Sequence, residues 1–292
     1  MADAPYHDRD GWIWRNGEFV PWRDANVHVL THGLHYASAV FEGERAYDGM
    51  IFKSRLHSER LHLSAKLMGF ELPYSVDELE RAKAETVARS GLGSAYVRAI
   101  AWRGSEKMGV AAQANRINVA VAAWHWGDYF PDKMKGIRLT IAPWRRPAPD
   151  TAPCQAKAAG LYMICTLSKH GAEAQGFQDA LMMDWRGQVA EATGANIFFV
   201  RDGALHTPYP DCFLNGLTRQ TVIELARARG VTVIERAIWP NELATFSEAF
   251  LTGSAAEITP IAEIAGMTYK PAALTEQLIA DFSALVRRKN AA

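Results

Sequence analysis

The alternation of apolar and polar residues predicts a mixture of strands and helices in the first part of the chain. Residues 12–20 alternate around Asn16-Gly17, and an Asn-Gly pair between alternating runs favours a tight β-hairpin. Apolar residues recur at helical spacing over 56–68 and 76–90, and Gly91 marks the end of the second helix. β-like runs occupy residues 36–52, 94–102 and 116–124. Together these segments predict an α+β first domain.

A polar stretch with a proline, residues 128–135, separates this region from a second series of elements. The later pattern predicts helices at 161–175, 218–229 and 273–288, with a short helical turn at 240–244. It predicts strands at 138–142, 180–184, 195–200, 231–235 and 248–252. We therefore expect a first domain over 1–127, a linker over 128–136 and a second domain over 137–292.

Composition narrows the class of protein. A chain of 292 residues with 49% apolar and 22% charged residues is large enough for two soluble domains. Lys+Arg and Asp+Glu both number 32, so no overall charge attracts nucleic acid or an anionic membrane. Three scattered cysteines fit reduced thiols, and neither a signal peptide nor a membrane-spanning stretch is read. We expect a cytoplasmic protein.

Lys157 is the first candidate for chemistry, because it lies in a run of small residues, Ala156 to Gly160. Side chains this small let a flat ring approach the amine closely. A desolvated lysine can form a Schiff base with an aldehyde cofactor. The same lysine could equally begin an ordinary helix.

Glu191 is the second candidate, again among small residues. A carboxylate beside a pyridine nitrogen keeps that nitrogen protonated, which lets the ring accept carbanion charge. A simple loop carboxylate is the alternative.

Two segments could hold a phosphate. The Gly-Leu-Thr-Arg sequence at 216–219 precedes a helix, whose first N–H groups can bind an anion, although Thr218 could simply cap the helix. Small residues at 252–256 offer hydroxyls and accessible amides, and Arg55 could supply a cation. An amine, an acid and a phosphate cradle together suggest pyridoxal 5′-phosphate.

The remaining signals are aromatic residues and histidines. The aromatics cluster at Tyr36, Phe41, Tyr96, Trp124, Trp126 and Tyr129, where core packing is the default for any single one. His32, His35 and His57 lie on different elements with no carboxylate at ligand spacing, so we expect no metal site.

In order along the chain, these segments resemble the branched-chain amino acid aminotransferases, which are class IV (fold-type IV) pyridoxal-phosphate enzymes. The matching motifs are 27–36 (VHVLTHGLHY), 41–43 (FEG), 96–98 (YVR), 126–129 (WGDY), 156–162, 191–198, 216–219 and 253–260. The resemblance covers nearly the whole chain. It implies a two-domain fold of mixed α+β / α/β class, like that of D-amino acid aminotransferase, with the cofactor at the domain interface.

The resemblance also implies roles for individual residues. Lys157 would be the catalytic residue, which forms the Schiff base with the cofactor and carries a proton. The cofactor would further contact Arg55, Tyr162, Glu191, Asn196, Leu217, Thr218, Gly253 and Ser254. The substrate would contact Tyr36, Phe41, Tyr96, Arg98, Trp126, Tyr129, Ser254 and Ala255. Arg98 is expected to bind the distal carboxylate of glutamate.

The activity implied by the resemblance is transamination between L-branched-chain amino acids and 2-oxoglutarate, giving 2-oxo acids and L-glutamate, in a homodimer or a trimer of dimers. Alternatives within the fold are a D-amino acid or (R)-amine transaminase and an aminodeoxychorismate lyase. A non-catalytic protein that binds a phosphate ligand is an alternative of another class.

Five positions depart from the usual family pattern. They are Ala37, where Gly is common; Glu44, where an aliphatic residue is common; Trp102, which is bulkier than expected; Ala195, where Glu is common; and Ser254, where Thr is common.

Overall fold

The computed structural model of the protein describes residues 5–127 and 133–287. Within these ranges the α-helices are α1 (His32–Tyr36), α2 (Ser54–Leu67), α3 (Val76–Ser90), α4 (Met163–Glu173), α5 (Leu217–Ala228) and α6 (Ala273–Val286). The strands of the first sheet are β1 (Trp12–Arg15), β2 (Glu18–Pro21), β3 (Ala39–Phe41), β4 (Glu44–Tyr47), β5 (Met50–Ile51), β6 (Ala95–Arg103) and β7 (Ile117–His125). The strands of the second sheet are β8 (Ile137–Ile141), β9 (Asp179–Met183), β10 (Val189–Ala192), β11 (Asn196–Arg201), β12 (Ala204–Thr207), β13 (Val233–Glu235), β14 (Glu248–Gly253), β15 (Glu257–Ile264) and β16 (Met267–Thr268).

The described residues form two compact units. The first contains the chain up to Gly127 together with Ala156–Gly160, and the second contains the remaining residues. The sequence-based boundaries assign Ala156–Gly160 to the second domain, whereas backbone hydrogen bonds join this segment to the first unit. Most of the predicted linker, residues 128–132, lies outside the described residues, and Lys133–Lys135 forms a 3-10 turn. The domain boundaries as such stay a prediction.

The first unit is built on an antiparallel sheet of seven strands, in the order β2-β1-β7-β6-β4-β5, with β3 pairing with β6. Its first hairpin forms at the expected place, because Asn16 and Gly17 both adopt the positive φ that the tight turn requires. Helix α3 begins at a capping box of Ser75 and Glu78 and ends at Gly91, as the sequence pattern predicts.

A buried ion pair connects α3 with β4 in this unit. Lys83 and Glu44 are both fully buried, and Lys83 Nζ donates to Glu44 Oε2 at 2.8 Å and to the carbonyl of Ser54 at 2.9 Å. Burial is the main reason that the pKa of Glu44 is raised. Lys83 therefore compensates for the carboxylate that Glu44 introduces after the Phe-Glu-Gly motif.

The second unit contains a mixed sheet of nine strands, in the order β10-β9-β8-β15-β14-β11-β12-β13, with β16 beside β15. Strand β8 is parallel to both β9 and β15, and β12 is parallel to β13. Its apolar core includes Leu139, Ile197, Leu251 and Ile261, none of which is accessible to solvent. The pairing of β11 with β14 places Asn196 beside Thr252 and Gly253, and a short turn joins β11 to β10, the strand of Glu191.

Four strands of this sheet are missing from the sequence prediction, among them the two-residue β16. Strand β10 carries Glu191 between alanines, and small residues give no β-signal, so the sequence favours a loop there. Strand β12 is short and follows a turn at Asp202 directly. Strand β15 contains Pro260, a residue rarely found inside a sheet, but pairing with β8 begins only at the next residue, Ile261.

Within residues 5–127 and 133–287, no helix is both long and apolar enough to cross a membrane.

Candidate functional site

Lys157 is fixed through its backbone in the first unit. Its N–H donates to Ser64 Oγ at 3.0 Å, and its carbonyl accepts from the N–H of Phe41 at 3.1 Å. The next residue, Ala158, forms an antiparallel bridge with Val40. Lys157 thus extends the edge of β3, and its position is set by a strand of the sheet rather than by a mobile loop.

The side chain of Lys157 is half-buried, with Nζ 5.0 Å from the centroid of the Phe41 ring. The alanines on either side, Ala156 and Ala158, are buried. A side chain at Gly160 would come within 3.2 Å of Ala37 Cβ. The small residues that single out Lys157 in the sequence therefore allow close packing of this segment within the first unit.

One face of the first sheet brings together four of the eight residues predicted to bind substrate. Because side chains alternate along a strand, Tyr96 and Arg98 share a face of β6, and Phe41 pairs in register with Ile100 on that same face. The Tyr96 and Trp126 rings lie 4.7 Å apart. This face therefore presents aromatic surface beside the Arg98 guanidinium.

Arg98 is half-buried on this face and is available to an anion. Its Nη2 donates to Tyr96 Oη at 3.1 Å, and its Cζ lies 4.5 Å from the Phe41 ring centroid. Its Nε is buried without a hydrogen-bond partner, and no carboxylate among the described residues pairs with it. A desolvated guanidinium in this state favours a bound carboxylate.

The Phe-Glu-Gly motif is explained by the position of Tyr96. A Cβ on Gly43 would lie 2.0 Å from Tyr96 Oη, so only glycine leaves room for the tyrosine. The close approach of the Tyr96 hydroxyl to Gly43 holds Tyr96 against the start of β4.

The other four predicted substrate residues are not in this group, and two of them, Ser254 and Ala255, follow β14 in the second unit. Tyr36 lies on α1, is 43% exposed and stacks on His32 at 4.5 Å. Ala37, which follows it, has φ of 53°, in the left-handed region where the glycine usual in the family costs less. Tyr129 lies outside the described residues.

Arg55, the predicted phosphate cation, lies on the surface. Its side chain is 61% exposed and pairs with Asp77 at 2.7 Å and with Glu59 at 3.3 Å. Five residues separate it from Arg60 on α2, which places the two about 140° apart around the helix. The geometry therefore does not support Arg55 as the cation of a buried phosphate site.

Arg60 is the second arginine of α2, and the sequence pattern does not single it out. It lies one helical turn before Ser64, the residue that accepts from Lys157, and only 13% of its side chain is exposed. It forms two hydrogen bonds of 2.7 Å with Glu42, the neighbour of Phe41. The helical pattern marks both arginines but does not tell which of them faces Lys157.

Glu42 is fully buried between Arg60 and His57, with His57 Nδ1 2.6 Å from Oε2. Burial alone raises the pKa of the Glu42 carboxyl, but the charges of Arg60 and His57 outweigh it and hold the pKa well below its usual range. Glu42 is therefore a charged anchor for Arg60.

In the second unit, Glu191 is held from both of its oxygens. Asn196 Nδ2 donates to Oε2 at 3.0 Å, and Arg146 Nε lies 3.5 Å from Oε1. The residue is 9% exposed. Such a carboxylate, fixed in orientation and close to positive charge, is suited to receive a proton-bearing ring nitrogen.

The two predicted phosphate segments converge on Asn196. Thr252, which opens the second segment, is the cross-strand partner of Asn196, and Asn196 Oδ1 accepts from the N–H of Gly216 at 3.1 Å. The hydroxyl of Thr252 is buried without a hydrogen-bond partner. A Cβ on Gly253 would lie 3.6 Å from Ala195, so glycine and alanine leave space at this end of the sheet.

The start of α5 has no side-chain cap. Gly216 is the N-cap residue and Thr218 lies inside the first turn, so the interpretation of Thr218 as an N-cap is wrong. Arg219 turns into the interior, where it binds Glu235 at 2.8 Å. Burial lowers the pKa of Arg219. The backbone N–H groups at Leu217 and Thr218 are the groups suited to an anion here.

Arg146 is a second residue that the sequence pattern does not single out. It is 5% exposed, and its Nη1 donates to the carbonyl of Leu161, the residue before Tyr162. Although burial opposes its charge, Glu191 and nearby thiol and phenol groups raise the pKa of Arg146. Its charge, immediately before Pro147, is the available sequence signal.

The sequence profile of the family described as Amino-transferase class IV matches residues 39–264. The chain is 42% identical to the branched-chain-amino-acid aminotransferase of Pseudomonas aeruginosa over 265 residues, which cover 89% of this chain and 86% of the relative. It resembles the solved branched-chain aminotransferase of Thermoproteus uzoniensis with norvaline, with a TM-score of 0.92, 37% identity and 95% of each chain covered. It also resembles a solved branched-chain amino acid aminotransferase from T.th., complexed with N-(5′-phosphopyridoxyl)-L-glutamate, with a TM-score of 0.91, 38% identity and 96% of each chain covered.

Proposed function

The chain belongs to the class IV aminotransferases, and from this premise we propose that it exchanges amino groups between L-branched-chain amino acids and 2-oxoglutarate with pyridoxal 5′-phosphate as cofactor. The names of its relatives support the substrate class, and the glutamate adduct of the T.th. enzyme supports glutamate as the second amino acid. The proposal depends mainly on the environment of Arg98. Its guanidinium is half-buried beside aromatic rings and has no carboxylate partner among the described residues.

The described residues fit pyridoxal phosphate. Glu191 offers an oriented carboxylate for the ring nitrogen, the uncapped start of α5 offers N–H groups, and Thr252 offers a buried hydroxyl without a partner. When bound, this cofactor withdraws electrons from the substrate Cα and so makes its proton acidic.

Lys157 supplies the amine that holds the cofactor and moves the proton at the substrate Cα. Its backbone is tied to β3 and α2, so only the side chain needs to move during this transfer. Glu191 holds a proton on the ring nitrogen, and its own position is set by Asn196 and Arg146. Tyr162 is assigned to the phenolic oxygen of the cofactor.

Leu217 and Thr218 are assigned to the phosphate through their backbone N–H groups, with Gly253 and Ser254 beside them. Arg60 takes the role of the cation first assigned to Arg55, because it is buried next to the Lys157 segment.

The aromatic face of the first sheet explains how one site accepts two kinds of side chain. Phe41, Tyr96 and Trp126 offer apolar surface to leucine, isoleucine or valine, at about 25 cal/mol for each Å² buried. The distal carboxylate of glutamate cannot lie there unpaired, and Arg98 supplies its partner.

A panel of amino donors tests this function. Purified enzyme is given L- and D-amino acids with 2-oxoglutarate, and glutamate formation is measured. We expect L-leucine, L-isoleucine and L-valine to be the best donors. Turnover of D-amino acids or (R)-amines in preference to these would support the alternative transaminases, and pyruvate release from aminodeoxychorismate would support the lyase.

We also propose that the protein is a homodimer, through a surface on the first unit. Residues 27–36 expose Val29 (70%) and Leu34 (64%), two large apolar side chains in one short segment. Leu34 also borders an apolar cavity of about 400 Å³, lined further by Ile100 and Trp102. A contiguous apolar patch with a cavity is typical of a protein interface, and a second copy of this chain is the proposed occupant.

Light scattering coupled to gel filtration tests the dimer. We expect Leu34→Glu to shift the molecular mass from two chains to one, because a charge would be buried in the interface. Leu63→Glu, at another exposed leucine (50%), is the matched control and should leave the mass unchanged. A Leu34→Glu protein that keeps the wild-type mass would place the interface elsewhere.

A further inference from the structure

The side chain of Asn196 joins two parts of the proposed cofactor site. At one end, Nδ2 donates to Glu191 Oε2 and to the carbonyl of Leu214, both at 3.0 Å. At the other end, Oδ1 accepts from the N–H of Gly216, the N-cap residue of α5, at 3.1 Å. With 5% exposure, Asn196 has little access to water that could replace these bonds.

This connection has little room to adjust. Asn196 is the first residue of β11 and is paired with Thr252 of β14, so its backbone is held in the sheet. A Cβ on Gly216 would lie 2.3 Å from Asn196 Oδ1, a contact that forces one of the two groups to move. Gly216 itself has φ of −62° and ψ of 142°, which alanine adopts without strain. The need for glycine there therefore comes from Asn196.

From this geometry we propose that Asn196 is a positioning residue that couples recognition of the cofactor ring at Glu191 to recognition of the phosphate at the start of α5. The inference rests on the proposed use of pyridoxal phosphate. A phosphate that fixes the first turn of α5 also fixes Gly216. Through the hydrogen bonds of its side chain, Asn196 then passes this constraint from Gly216 to the Glu191 carboxylate. Coupling of two binding events is reciprocal, so an oriented Glu191 also favours the phosphate site.

Arg146 contacts Glu191 from the opposite oxygen, and its Nη1 is directed to the carbonyl of Leu161 and to Cys165 Sγ. These contacts lie away from α5 and Asn196, so Arg146 orients the ring end alone. Replacing it affects one end of the site, whereas replacing Asn196 affects both.

A double-mutant cycle on the apoenzyme tests the coupling. Two separate ligands, pyridoxal and inorganic phosphate, stand for the two ends of the cofactor. Pyridoxal, which lacks the phosphate, reports the ring end through its absorbance on binding, and inorganic phosphate reports the other end by calorimetry. We expect Gly216→Ala to weaken pyridoxal binding by about three- to tenfold, although pyridoxal does not reach α5, because the new Cβ displaces Asn196. In an Asn196→Ala background, the same change should alter pyridoxal binding by less than about twofold.

Asn196→Ala alone should weaken both probes, and Arg146→Met should weaken pyridoxal while leaving phosphate affinity unchanged. Equal effects of Gly216→Ala on pyridoxal binding in both backgrounds would overturn the coupling, as would no effect in the wild-type background. Loss of phosphate binding in Arg146→Met equal to that in Asn196→Ala would also overturn it, because a general loss of structure would then explain both variants.

The wild-type protein is first reduced with borohydride in the presence of pyridoxal phosphate. If no adduct forms at Lys157, the proposed function fails. If the adduct forms and the cycle is additive, only the coupling role of Asn196 fails.

Discussion

Three buried glutamates, two in the first unit and one in the second, are satisfied by different means. In the first unit, Glu42 and Glu44 are fully buried and pair with the cationic side chains of Arg60 and Lys83. In the second unit, Glu248 is also buried, but its Oε2 accepts from the backbone N–H groups of Ala272, at 3.0 Å, and Thr275, at 3.1 Å, at the start of α6. Glu42 and Glu44 thus rely on ion pairs, whereas Glu248 relies on backbone donors. Asp184, buried in the second unit, combines the two, since it pairs with Arg186 at 2.6 Å and also accepts from backbone N–H groups.

The type of partner determines how a buried carboxylate responds to substitution. A backbone donor is removed only by a substitution to proline, and an amide can replace the carboxylate that it binds. A buried cation, in contrast, is lost in one substitution and leaves an uncompensated charge behind. Glu191 lies between the two cases, since it is held by an amide and by a guanidinium.

The largest effect is expected for Lys83→Met. This change leaves Glu44 buried without its cation and should lower the free energy of unfolding by about 3–5 kcal/mol, measured by urea denaturation. The double variant Glu44→Ile with Lys83→Met should recover most of this loss, because the fully buried carboxylate is then gone and the side chain of Glu80, the other partner of Lys83, is 26% exposed. Glu248→Gln is the matched change in the second unit and should cost about 1 kcal/mol or less. Equal losses of unfolding free energy in Lys83→Met and Glu248→Gln would contradict the contrast between ion pairs and backbone donors.

Glu191→Gln should keep the cofactor bound and reduce turnover by about 10²–10³-fold. The amide still accepts from Asn196 but cannot hold the proton on the ring nitrogen. Single-turnover kinetics separates this effect from cofactor loss. A variant with the full rate would show that another group serves the nitrogen.

Features with a local cause could be predicted from the sequence, whereas features that depend on contacts between distant segments could not. Local signals were sufficient where the cause is local, as for the Asn16-Gly17 turn and for α3 between Ser75 and Gly91. The choice between Arg55 and Arg60 depends on a contact of α2 with Lys157, a residue 93 positions after Ser64, and helical spacing cannot specify it. Motifs singled out Glu191 and Asn196, but their shared hydrogen bond required the sheet. Arg146 has no local signal beyond its charge.

Arg98→Leu should raise the Michaelis constants for glutamate and 2-oxoglutarate about ten- to a hundredfold, because one charge-assisted hydrogen bond is lost. The half-reaction with leucine, followed by single-turnover absorbance, should change much less. If leucine is affected as strongly as glutamate, Arg98 binds the α-carboxylate, and the D-amino acid alternative gains support.

The smallest effect is expected for Arg55→Ala. An exposed ion pair contributes about 0–1 kcal/mol, so both stability and cofactor affinity should stay near the wild-type values. Arg60→Ala should weaken cofactor binding measurably more, in equilibrium dialysis of the same two variants. A large loss of cofactor affinity in Arg55→Ala alone would restore the role that the sequence assigns to it.

Covalent trapping tests the central claim most directly, namely that Lys157 holds the cofactor. The holoenzyme is reduced with borohydride and digested, and the modified peptide is identified by mass spectrometry. We expect one phosphopyridoxyl group on Lys157, and a Lys157→Ala protein that stays folded, carries no adduct and has lost transamination. An adduct on another lysine, or a Lys157→Ala protein with near-normal turnover, would contradict the assignment.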